Sequence, residues 1–457
     1  MKPLPQFLFI LLMTLGSTAL SAAEKKTNTE VLKEYIQGTY GERLTISDNQ
    51  IEQLTWVMEN PARTPEMDTR NGQKASDIHR EVPRALARLY ALQLMRSGTD
   101  RDYQAFTAPQ KGLDVMLNQE SFALLSSGIS RLDEESYETL EAAVIISAVT
   151  LSPKAREKAS AVLKEPFPKD SEKFLTFTAR KAAAIYPLAE QVTQKYKSDG
   201  RKFKIIYFPD SHLRHMMYNE GSASMYSTLR EGLRTKKLRQ ADLDLWYYRW
   251  VANIAGFRGH LSDLGSLYLT QNTFMAMNQL KNILDRLRLK TDLNPMEVYL
   301  EHRGRWLGLY ALTRKRDERL ALTSLGATLR LFAPADGKIL KKAFRELSAR
   351  DQERWIRHTE KQMTETGFPA PTYGPALFTN ALDVTDLAET LKKMLPLFLD
   401  AMDQEQQLRS KGRLPRNTPI SFRSLSTTDS IRAILSTSRP LAVKVDTDTG
   451  LVTAHER

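Results

Sequence analysis

Apolar residues in this chain recur at spacings of three and four along nearly its whole length, as Leu387, Leu391, Met394, Leu395 and Phe398 do. That spacing puts them on one face of a 3.6-residue helix, whereas half-buried strands alternate with a period of two. Alternating runs are scarce, so the chain is expected to be mostly α, a multi-helix array or bundle. Two exceptions stand out. The run "KFKIIYF" at 202–208 is rich in β-prone residues and reads as a short strand near 203–208. Near the C-terminus, "LAVKVDTDTGLVTA" reads as a small hairpin turning at "DTG".

Local signals give helix ends. Ser47 with Gln50 forms a capping-box pattern, and Ser152 followed by Pro153 pairs an N-cap with proline in the first turn. A helix opening near Ser76 should stop at Gly98. Further helices are expected over 171–196, 211–220, 224–235, 240–256, 270–290, 294–315 and 335–366, and a last long one from near Asp383 contains Pro396. The "SDG" break near 200 suggests a boundary, with an N-terminal helical domain over 24–200, a basic helical domain over 201–412 and a polar tail over 413–457.

The first 23 residues read as a signal peptide. Lys2 precedes an apolar run from Phe7 to Leu15, and Ser21, Ala22 and Ala23 precede Glu24. The run is shorter than the roughly 20 residues a bilayer span needs. The expectation is a bacterial-type exported protein, periplasmic or secreted, whose mature chain starts near Glu24 and has no transmembrane span. Cysteine is absent, which excludes a disulfide framework and thiolate chemistry.

Of 457 residues, Lys and Arg exceed Asp and Glu by 12. The excess concentrates in "REGLRTKKLR" at 230–239, "KNILDRLRLK" at 281–290 and "HRGRWLGLYALTRKRDER" at 302–319. Such a surface suits an anionic partner: a phosphorylated ligand, an acidic protein, or the head groups of acidic lipid. Arg214, Arg234, Lys236, Lys237, Arg239 and Arg258 are the anion-binding candidates. Nucleic acid is not expected, since no basic strand carries interleaved aromatics.

The densest run of functional residue types is 211–275. In "SHLRHMMYNEGSAS", His212, His215 and Asn219 share one helical stripe beside apolar Leu213, Met216 and Met217. Imidazoles one turn apart can converge on one cation, and His260 in "GFRGHLSD" is the candidate third ligand of a zinc-type site. Gly256 and Gly259 would allow a tight turn there, with amides beside Arg258 cradling an anion; a simple helix C-terminus explains the same pattern. Asn219, Glu220, Asn253, Asp263 and Gln271 are expected to line the shared cleft. In the row Trp246, Tyr247, Tyr248 and Trp250, either a core or a partner-facing role fits.

The chain is similar to helical HD-type phosphohydrolases only in its all-helical character and scattered histidines. Their adjacent His-Asp dyad is missing, and the segment in question reads "VANIAGF". HExxH, GxSxG, Walker and Rossmann patterns are missing as well. No residue is therefore assigned a catalytic role. The sequence favours a binding protein for an anionic partner; the alternative is a metal-dependent hydrolase of a phosphorylated substrate, with the three histidines as ligands. Finally, "TGFPAPTYGPALF" at 366–378 reads as a lid or a crossing between helices.

Overall fold

A computed structural model describes residues 26–59, 78–113, 115–150, 152–168, 171–262, 264–287, 289, 293–364 and 369–456. The segment expected to be a signal peptide, its expected junction before Glu24 and the expected helix start near Ser76 lie outside them. The fold is mostly α, with one two-stranded antiparallel sheet. Several ends fall where the caps put them: Ser47 and Gln50 form a reciprocal capping box, Ser152 accepts from the Ala155 amide, and Gly98 ends its helix at φ 69°. Among the described residues, no helix is long and apolar enough to cross a membrane.

The strand-like run near 203–208 is instead a helix, Arg201–Ile206, opened by Gly200 at φ 70°. Phe203, Ile205 and Ile206 are buried there, and this short helix packs on Glu134–Val149 and Asp242–Ala255. β-propensity mainly records fit to a partly buried surface, and two helices supply that surface as well as a sheet would. Five expected helices are also shorter or divided. The 171–196 segment forms Ser171–Thr178, Ala182–Ile185 and Pro187–Tyr196, and the 270–290 helix ends at Leu284. The 211–220 helix contracts to Leu213–Met217, because Asn219 takes φ 58°. Gly308 at φ 64° separates Pro295–Trp306 from Leu309–Leu312. The 335–366 segment forms Pro334–Arg345 and Ala349–Thr364, the second begun by Ser348, whose hydroxyl accepts from the Asp351 amide at 3.1 Å.

Two hydrophobic clusters form the core. The first runs from Leu32 to Leu320 without dividing near 200; the second runs from Leu307 to Val452. The Arg316–Thr328 helix lies between them, giving Leu320 to the first and Leu322 and Leu325 to the second. Trp246, Tyr247, Tyr248 and Trp250 are all buried in the first cluster, so that row is core. The residues after 412 are packed, with Ile420, Phe422, Ile431 and Val452 fully buried.

The hairpin expected at the end is present. Strand β1 (Leu441–Val445) pairs with β2 (Val452–Glu456) through Leu441↔Glu456 to Val445↔Val452. The free edge of β1 meets Gln404, whose side-chain amide donates to the Val443 carbonyl and accepts from the Val445 amide at 3.2 Å. One glutamine thus stands in for a neighbouring peptide group and ties the sheet to the Leu387–Ser410 helix, which contains Pro396.

Candidate functional site

The structure does not gather the histidines expected to bind metal. His212 is half-buried, its ring stacked on His215 at 4.1 Å between centroids and against Trp250 at 3.7 Å. Burial, helped by His215, Arg214 and Arg249, pushes its pKa well below the ordinary value, so it sits there as a neutral ring. His215 Nδ1 is 3.6 Å from the Glu220 carboxylate, while His260 Nδ1 accepts from Arg84 Nε at 3.0 Å. Among the described residues, no group of three or more His, Asp or Glu is arranged to hold a metal ion.

The glycines beside His260 serve packing. A Cβ on Gly256 would lie 2.6 Å from the Arg88 amide nitrogen, and one on Gly259 would lie 2.8 Å from the Pro83 carbonyl. Both therefore let this turn sit directly on the Glu81–Ser97 helix. The amides of Gly256, Phe257, Gly259 and Leu261 donate to nearby carbonyls instead of facing an anion.

The other expected residues are dispersed. Arg214 stacks on Phe257 at 4.2 Å, and Arg258 lies 5.7 Å from the centre of the Tyr268 ring. Arg234 pairs with Glu231 at 2.6 Å. Arg239 and Arg201 share Asp242; burial works to raise that carboxyl, but their hydrogen bonds outweigh it and hold it down at about 2. Lys236 and Lys237 are exposed. Gln271 bonds the Asn118 amide and Ser121, at the start of the Gln119–Ser130 helix. Asn253 is half-buried, and Asp263 lies outside the described residues.

The cleft that the fold does form lies elsewhere. It has a volume of about 740 Å³ and is walled by the Ala349–Thr364 helix, the Leu387–Ser410 helix, the segment Pro369–Pro371 and the start of the Ser222–Arg234 helix. The "SHLRHMMYNEGSAS" stretch thus reaches a cleft with its last residues only: Gly221, Ala223 and Ser224 line it. Its histidines, Asn219 and Glu220 do not. Asn219 is buried behind the wall, donating to Ser324 at 2.6 Å and to the wall residue Gln362 at 3.3 Å.

Three features decide the chemistry of this cleft. The first is a cationic stripe. Arg350, Arg354, Arg357 and Lys361 are spaced four, three and four residues apart, so they share one face of their helix, and all line the cleft. Their charges are not equally available. Arg354, with a side chain only 10% exposed, is bonded to Asp351, Asp400 and Asp403. Burial works to lower its pKa, and the bonds to Asp403 and Asp400 outweigh this, so it stays firmly charged. Arg409, on the opposite helix, is spent on Glu405 and on the carbonyls of Pro415, Arg416 and Thr418. By contrast, Arg357 pairs with Glu353, and this pair is 60% and 66% exposed and exchanges readily for another anion.

The second feature is the helix start at Gly221. The first amides of a helix lack intrahelical acceptors and carry partial positive charge. Gly221, at φ 73°, offers no side-chain oxygen to cap them. The third is His358, which is 9% exposed and lies against Trp355 and Phe398. Among the described residues its Nε2 has no hydrogen-bond partner. Burial, reinforced by Lys361 and opposed by Asp403, lowers its pKa to about 4.

The sequence contained the signal for this site, since the cationic stripe has the same helical spacing as the histidine stripe. A charged stripe, however, ordinarily reads as a solvated face. Of the 366–378 segment, residues 366–368 lie outside the described residues; 369–373 lead into the Gly374–Leu382 helix, where the Thr372 amide bonds the Ile420 carbonyl and the Phe422 amide bonds the Thr372 carbonyl, both at 2.9 Å. Compared with known proteins, the chain matches no family model, no curated protein and no solved structure.

Proposed function

We propose that the chain is an exported binding protein that takes an anionic ligand in the cleft beside Gly221. One juxtaposition carries the reading: a helix start whose N-cap is Gly221 and the Arg357–Lys361 end of a cationic stripe line the same 740 Å³ space. Helix amides and guanidinium groups both favour phosphate or carboxylate oxygens. The volume is that of a small-molecule site. Export rests on the N-terminal pattern of Lys2, the apolar run to Leu15 and the small residues before Glu24. The basic 230–239 run is secondary in this reading, because none of its residues lines this cleft.

Calorimetric titration of the full chain with hexyl phosphate tests the reading. Affinity should fall as salt rises and the Debye length shrinks from about 10 Å at 0.1 M to about 3 Å at 1 M. The double variant Arg357→Gln/Lys361→Gln should bind about tenfold more weakly. Replacing Lys236 and Lys237 by Gln should leave affinity within about twofold. Binding indifferent to both salt and the double variant would reject the proposal.

A further inference from the structure

None of the basic run at 302–319 lines the cleft; folding instead sets it against a second cationic stripe. Lys338, Lys341, Lys342 and Arg345 are spaced three, one and three residues apart, which puts them on one face of the Pro334–Arg345 helix. With Leu312 and Glu346 they line an open depression of about 440 Å³. Lys341 is held there by the Leu312 carbonyl, to which its ammonium donates. Arg314 and Lys315, both exposed, follow Leu312 so closely in the chain that their Cα atoms lie no more than about 12 Å from it.

The carboxylates nearby leave this face cationic. Lys338, Lys342 and Arg345 are exposed, and among the described residues none of them is in an ion pair. The one acidic side chain of the helix, Asp336, is used at its start, where it accepts from the Phe332 and Ala333 amides at 3.0 and 2.9 Å. Glu346 pairs with Lys392 at 3.2 Å and so brings a further cation with it. Like charges one turn apart repel, and an external anionic surface relieves that repulsion. Beside the stripe, Ile339 is 56% exposed and stands about 60° round the helix from Lys342. The stripe covers about 10 Å of helix axis, longer than one phosphate group and suited to several neighbouring head groups. We infer that this face docks on an acidic lipid bilayer, with Lys338, Lys342 and Arg345 at the head groups and Ile339 entering the boundary beneath them. Charge complementarity supplies the attraction. The exposed isoleucine favours a bilayer over a free anion or an acidic protein, because a bilayer lays an apolar layer directly under its anionic surface. The cleft and its ligand play no part in this docking.

Sedimentation of the full chain with lipid vesicles tests this. Vesicles of phosphatidylcholine and phosphatidylglycerol in equal parts should carry the chain down, and vesicles of phosphatidylcholine alone should not. Lys338→Gln/Lys342→Gln/Arg345→Gln should weaken binding about hundredfold, or about fivefold for each charge, while Lys338→Arg/Lys342→Arg should keep it. Ile339→Ser should weaken it about fivefold. All these chains share the same residues 1–23, so whatever that segment contributes cancels. Arg234→Gln/Lys236→Gln/Lys237→Gln removes as many charges from another place and should stay within about twofold, because the attraction reaches only about one Debye length, about 10 Å at 0.1 M salt. A loss in that control equal to the loss in the stripe variant would show that total charge attracts the chain, and would overturn the inference. Equal binding to the two kinds of vesicle would overturn it too. Retention on soluble polyglutamate that the stripe variant loses, without sedimentation on either vesicle, would replace the bilayer by an acidic protein surface. The anion reading of the cleft stands or falls separately, on the hexyl phosphate titration.

Discussion

Arg354 donates to Asp403 at 2.6 Å, and this bond spans the two helices that wall the cleft. The same guanidinium reaches Asp400 at 2.9 Å, so one arginine ties the Ala349–Thr364 helix to two successive turns of its neighbour. Arg354→Ala would leave Asp400 without this half-buried partner. Because Asp403 is 60% exposed, the loss is moderated by solvent. We expect about 1–3 kcal/mol of destabilisation in urea unfolding. Arg350→Ala, at an exposed position on the same stripe, should change stability by no more than about 0.5 kcal/mol.

His358 should make the second core acid-sensitive. Its folded pKa of about 4 lies below the ordinary 6.5, so between those values the unfolded chain binds more protons. The stability it contributes is complete above about pH 6.5 and is lost as the pH falls toward 4. His358→Leu should lose about 2 kcal/mol less than the parent chain between pH 7 and pH 5, with unfolding midpoints in urea as the measurement. Equal losses in the two chains would assign the acid sensitivity to other groups, such as His212, whose pKa is also lowered.

Gly221→Ala should disturb both the fold and the cleft. The position has φ 73°, and a new Cβ would meet Ala370, whose own Cα would be 3.0 Å away. Backbone strain and this clash should together cost about 1–3 kcal/mol. The crossing segment has to shift, so hexyl phosphate affinity should drop as well. Full affinity in a variant with normal stability would show that the helix start is not part of the anion site.

Mass spectrometry of chain recovered from the periplasm or medium of an expressing bacterium should find an N-terminus at or near Glu24. The small residues Ser21, Ala22 and Ala23 form the cleavage pattern. An intact Met1 on a membrane-bound product would mean an uncleaved anchor.

Helical class, several helix ends and the final hairpin were legible in the sequence because their causes are local. Three-four spacing sets a buried face, Ser47 and Ser152 cap the helices they precede, and Gly98 takes the left-handed turn that ends one. Where the reading failed, the deciding partners were distant in sequence. Phe203 and Ile205 became helical because two helices offered a surface to bury them, and Gly256 and Gly259 proved to be contact points for the Glu81–Ser97 helix. The basic residues show the same limit most clearly. Arg234 found Glu231 three residues away, but whether Arg354 is free or spent depends on Asp400 and Asp403, 46 and 49 residues further on. Sequence alone thus determined which faces are apolar and which are charged. Only the tertiary structure decided which charges were neutralised and which faced a cleft, because neutralisation depends on distances that folding sets.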